Sequence, residues 1–143
     1  MPDAIVRKFY LDTAIWRDFF EDRSDGMRPL GEFAFSFLKN CGKNGCTVFY
    51  SDLVVQELKE DYSDEQIREL FSPFRVFLVE VVISNEQILE ARKISSSVKG
   101  THVKDVIHAV LARDNCAVMI TRDRHFDVLT GLVEVSKPED IHF

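Results

Sequence analysis

With 143 residues, 45% of them hydrophobic, the chain is long enough for one substantial core and shorter than the size at which cores usually split, so one domain over residues 1–143 is expected. No apolar run reaches the roughly 18–20 residues needed to span a bilayer, and the opening MPDAIVRKFY lacks the apolar stretch of a secretory signal, which points to a soluble cytoplasmic protein with no membrane partner. A formal charge of −6 argues against a nucleic-acid partner, yet residues 92–125 carry seven Lys/Arg against three acids, a net +4 that leaves −10 for the rest.

In chain order, Arg7 to Leu11 reads as a strand, and Ile15, Trp16, Phe19 and Phe20 follow at helical spacing before the turn-prone SDG around Asp25. A second helix is expected from about Pro29, a favoured first-turn residue, through Phe33 and Phe37 to Gly42. Phe35 lies off its main apolar stripe and is a candidate for a partner or dimer surface. Cys46 to Tyr50 reads as a short buried strand. Ser51 and Asp52 are good caps for a helix carrying Leu53, Val54 and Leu58, and another helix covers Asp64 to Phe71 until Ser72-Pro73 ends it. The acids from Glu57 to Glu69 read as a solvated face.

The run Arg75 to Ile83 is nearly all apolar and β-branched, the pattern of a strand covered on both faces. Ser84 and Gln87 have capping-box spacing and open a helix to about Val98, broken by Gly100. Val103, Val106, Ile107, Val110 and Leu111 form the stripe of a further helix, followed by a strand from Ala117 to Thr121, a last short helix and a strand from Leu132 to Val135. Three cysteines without a C-x-x-C pair suggest neither a disulfide framework nor a zinc site. Strands alternating with helices imply a parallel sheet with helices on both faces, whose ligands bind beyond the carboxyl ends of the strands.

That rule picks out particular acids. Asp12 directly follows the first strand, and Asp123 falls just after the strand ending at Thr121. Glu57 sits close to an apolar helical stripe, where a charge needs a partner. Asp105 lies in a first helical turn, in line with Ala109 and Ala112, where the helix N-terminus favours an ionised carboxylate. Carboxylates converging without matching cations repel one another, and a divalent metal removes the conflict. All-oxygen ligation points to magnesium or manganese, ions suited to activating water and stabilising a phosphoryl displacement.

At these residues FYLDTAIW, VVQEL, KDVIHAVLA and MITRDRHF resemble, in order, the four acidic motifs of the PIN-domain family, over roughly residues 7 to 136. The resemblance implies a three-layer α/β/α sandwich around a central parallel sheet and metal-dependent endonucleolytic cleavage of single-stranded RNA. Asp12, Glu57, Asp105 and Asp123 match the family's metal-binding acids, with Thr13 and Thr121 in support. Many small relatives are VapC-type toxins, which implies an antitoxin partner and a homodimer. Many relatives also place a second acid two residues after the last aspartate, where this chain has His125. Lys99, Lys104, Arg122 and Arg124 are the candidate RNA contacts.

Plainer readings stand beside these. Asp12, Asp105 and Asp123 are each placed to act as helix caps, and Glu57 to pair with an arginine. Four independent structural roles would have no reason to reproduce one site in order, so the joint metal site is preferred. His108 is expected to be packed or at the surface rather than catalytic; His102 and His125 are expected to be solvated, with phosphate contact as the alternative. Two other functions remain open: a catalytically weak PIN domain binding RNA or protein, and an unrelated α/β phosphatase or phosphoacceptor, although the phosphatase Asp-x-Asp is absent at Asp12.

Overall fold

The structure, a computed structural model, describes residues 5–143; Met1 to Ala4, part of the stretch read above for a signal segment, lie outside the described residues. Five parallel strands form one sheet: β1 (Lys8–Leu11), β2 (Thr47–Ser51), β3 (Leu78–Val81), β4 (Val118–Ile120) and β5 (Val135–Ser136), in the order β3-β2-β1-β4-β5. The α-helices are α1 (Thr13–Glu21), α2 (Leu30–Lys43), α3 (Asp52–Leu58), α4 (Asp64–Phe71), α5 (Asn85–Ser97) and α6 (Val103–Asp114). They complete a three-layer α/β/α sandwich, with α1 packed on α2 and α5 on α6.

The central strand shows why the sheet is parallel and sandwiched. Phe9, Tyr10 and Leu11 are all fully buried, so β1 has no solvent face. Phe9 pairs with Val48 on one side and Val118 on the other, which sets the ends of β1 and β4 next to each other. The amide of Asp12 extends this ladder by one bond, donating to the Ile120 carbonyl at 2.9 Å.

Local chemistry fixes the helix starts. Ser51 caps α3 through the Val54 amide, and both α4 and α5 open with complete capping boxes, Ser63/Gln66 and Ser84/Gln87. Gly31 lets α2 approach the end of α1, since a Cβ there would stand 2.6 Å from the Asp22 Cα. Gly100 adopts φ +80° between α5 and α6, a conformation that favours glycine.

Three expectations are corrected. The run from Arg75 forms strand only at Leu78–Val81, after a turn in which the Phe77 amide bonds the Phe74 carbonyl. It is also an edge strand with Val79 and Val82 exposed, so its β-branched composition reflects strand propensity rather than two covered faces. The last strand is Val135–Ser136, because Leu132 and Val133 turn their amides back to the Leu129 carbonyl, and the last short helix is a 3-10 segment, Arg124–Leu129. Finally, α6 is not amphipathic: every residue from Val106 to Ala112 is buried, His108 included.

Candidate functional site

The adjacent ends of β1 and β4 carry the first cluster. Asp12 occupies the cap position of α1 but makes no side-chain cap bond. Its carboxylate turns instead to Thr121, whose hydroxyl donates to Asp12 Oδ2 at 2.9 Å and accepts from the Asp123 amide at 3.0 Å. One buried hydroxyl thus ties two acids from opposite ends of the chain. Asp123 does cap the 3-10 segment, accepting from the His125 amide at 2.9 Å, while its Oδ1 also lies 2.9 Å from His125 Nδ1.

The first turn of α6 brings Asp105 to the same edge. One ligand atom each of Asp105, Asp123 and His125 lies within 4.8 Å of the others. Burial pushes the Asp105 carboxyl above its usual range, and the Asp123 charge pushes it further. Asp12 is raised too: burial dominates, His108 and the Thr121 hydrogen bond offset part of it, and Glu57 and Asp105 add to it. Two carboxylates and an imidazole beside a buried third acid form a donor set that fits a divalent cation, and positive charge is what the cluster lacks.

Glu57, from α3, is held on the other side of Asp12. Its Oε1 accepts from Thr13 at 2.9 Å and faces His108 Nε2 at 2.6 Å. The opposite ring nitrogen, His108 Nδ1, lies 2.6 Å from the Tyr10 hydroxyl, itself 2.7 Å from Ser51 Oγ. With the imidazole proton on Nε2, every donor finds an acceptor: Ser51 to Tyr10, Tyr10 to His108, His108 to Glu57. Burial pushes the Tyr10 hydroxyl up, so it keeps its proton. Burial alone would raise Glu57 as well, but the His108 and Thr13 hydrogen bonds overcome it and hold the carboxyl below its ordinary range.

The arginine partner considered for Glu57 is not the one found, since Arg17 reaches only its backbone carbonyl and pairs with Asp61. His108 is packed, as expected, but it packs as the hydrogen-bonding support of Glu57. Sequence reading passed over this role, and it took His125 as solvated or a phosphate contact rather than as a neighbour of Asp105 and Asp123. The available signals were the spacings: His108 one turn after Asp105, Tyr10 two before Asp12, His125 two after Asp123.

The basic window separates into two kinds of residue. Arg122 is largely buried, forms a bidentate pair with Glu139 at 2.7 Å for both bonds, approaches Asp18 and lies over the Phe33 ring. Its guanidinium is committed to packing the C-terminal segment rather than free for a ligand. Lys99, Lys104 and Arg124 are exposed and belong to none of the ion pairs among the described residues. A cleft of about 540 Å³ adjoins Asp123, with Arg28, Arg124 and Lys137 among its lining residues.

No protein-family model matches the sequence, and no curated protein matches it. The fold does have solved counterparts. VapBC2 from Rickettsia felis, in a structure bound to a DNA fragment from their promoter, superposes with a TM-score of 0.66 at 19% identity, covering 91% of this chain and 98% of that one. FitAcB from Neisseria gonorrhoeae gives a TM-score of 0.62 at 15% identity over 93% and 99% of the two chains. At such identities the likeness is one of fold, and the fold is the PIN-like sandwich that the four motifs resemble.

Proposed function

We propose that the chain is a magnesium- or manganese-dependent endoribonuclease that hydrolyses phosphodiester bonds of single-stranded RNA, acting as the toxin of a toxin–antitoxin pair. The observation that carries this reading is the convergence of Asp12, Asp105 and Asp123 at one sheet edge with too little positive charge to balance them. Glu57 stands beside them already ionised and oriented.

Asp105 and Asp123 would hold the cation, with Asp12 beside them, and the ion when bound supplies water activation and charge stabilisation at the phosphoryl group. The protein supplies position. Thr121 fixes Asp12 and Asp123 relative to each other. Glu57 has both described hydrogen bonds on Oε1, which leaves Oε2 to accept a proton from an attacking water. The exposed Lys99, Lys104 and Arg124 would meet the RNA backbone.

The VapC-type motifs and the likeness to VapBC2 and FitAcB support an antitoxin partner. Among the described residues no helix is long and apolar enough to cross a membrane, which fits the proposed cytoplasmic setting. A homodimer is proposed on the family resemblance and is checked by light scattering. For the activity, unstructured RNA incubated with the purified protein is expected to be cleaved on adding magnesium or manganese. Cleavage that persists in EDTA would refute the mechanism, while RNA binding without cleavage at any metal concentration would leave a binding module instead.

A further inference from the structure

The position that in many relatives of the resembled family holds an acid is His125 here, and its geometry suggests a different ligand chemistry. The ring is half exposed, so it is open to an ion from solvent. It is also held in place: its amide and Nδ1 both meet Asp123 Oδ1 at 2.9 Å, and the ring stands edge-on to His102 with centroids 5.5 Å apart. Two donors on neighbouring corners of an octahedral ion with bonds of about 2.1 Å lie roughly 3 Å apart, the spacing already present between His125 Nδ1 and Asp123 Oδ1. Asp105 supplies the third donor of the group. Asp12 lies beside this group: its Oδ2 receives the Thr121 hydrogen bond, and the Asp105 charge acts on it.

We propose that His125 is a nitrogen ligand of the cation held by Asp105 and Asp123, so that the site selects a first-row transition dication such as manganese over magnesium. This rests on the metal-dependent reading above and sharpens it. Magnesium demands oxygen donors and gives up water reluctantly, whereas imidazole nitrogen is a good ligand for the softer transition ions. A site of oxygen donors alone would discriminate far less. Ligation displaces to solvent the Nδ1 proton that now joins His125 to Asp123; the neutral ring keeps its other proton on Nε2, and Nδ1 and a carboxylate oxygen of Asp123 would then both face the cation.

The test uses the purified full chain with manganese and magnesium chlorides as probes. Pulsed electron paramagnetic resonance of the manganese-loaded protein is expected to show nitrogen-14 coupling from a directly bound imidazole. The coupling should vanish in His125→Asp and persist in His102→Ala. Competition titration should show the preference for manganese over magnesium dropping by about tenfold in His125→Asp. Manganese bound without nitrogen coupling, at a preference unchanged in His125→Asp, would overturn the role of His125 and leave the metal site standing. Failure of the wild-type chain to bind manganese at all would overturn the metal reading as well.

Discussion

Helix α6 carries acids at both ends, and the two ends are solved in opposite ways. At its C-terminal end, Arg113 binds Glu90 through two bonds of 2.6 Å and Asp114 through bonds of 2.7 and 2.9 Å, and Gln87 donates to Asp114. The Arg113 hydrogen bonds hold Glu90 below its ordinary range; Asp114 is held low too, because its hydrogen bonds from Gln87 and Arg113 outweigh its partial burial. At the N-terminal end, Asp105 pairs with no Lys or Arg among the described residues and is pushed up by burial and then by Asp123, and burial pushes up Asp12 beside it. A surface charge network that closes on itself has a structural role; the one left open at the carboxyl ends of parallel strands is the one that the proposed cation would complete.

The contrast can be broken most severely at Asp12. Asp12→Asn keeps an oxygen for the Thr121 hydroxyl but removes the charge, and RNA cleavage with manganese is expected to fall by about a hundredfold or more. Cleavage within a few fold of wild type would show that the open cluster is not the site of chemistry.

Next in size is the support behind Glu57. His108→Ala strips a buried donor from Glu57 and an acceptor from Tyr10 and leaves a cavity, so a loss of roughly 2–5 kcal/mol in denaturant unfolding is expected, with reduced cleavage. His108→Gln, which retains a donor, should recover part of both. Thr121→Val is expected to cost about 1–3 kcal/mol by orphaning the Asp123 amide and one oxygen of Asp12. The smallest effect belongs to the closed end of the helix: Arg113→Met should change stability by about 0–1 kcal/mol, since exposed ion pairs contribute little, and leave cleavage unaltered. A large loss of activity in that variant would erase the distinction between the two ends.

Much of the architecture was legible because it is written in local rules. Alternating strand and helix patterns, capping residues at Ser51 and Ser84 and the strand-end positions of Asp12 and Asp123 are all statements about neighbours in sequence. Burial was harder. The apolar run after Arg75 has the composition of a central strand, but its edge position depends on the order in which distant strands pair. The partners of the acids were hardest, because Tyr10, Ser51, Glu57 and His108 lie on four elements and meet only after the sheet is assembled. Arg122 shows the same limit from the other side: its sequence neighbourhood is basic, while its contact in space is Glu139.

Thermal unfolding of the wild type and Asp12→Asn, with and without manganese, tests the open cluster most directly. A carboxyl whose folded pKa lies above its unfolded value favours the native state below the unfolded pKa and loses that contribution as pH rises through the folded one. The metal-free Asp12→Asn protein should therefore melt above the metal-free wild type at neutral pH, with the difference closing in acid. Manganese should raise the melting temperature of the wild type, because it binds the folded state, and raise that of Asp12→Asn much less. A wild-type protein indifferent to millimolar manganese, together with an Asp12→Asn variant less stable at neutral pH, would mean that the charge of Asp12 is balanced within the fold and that no cation is needed there.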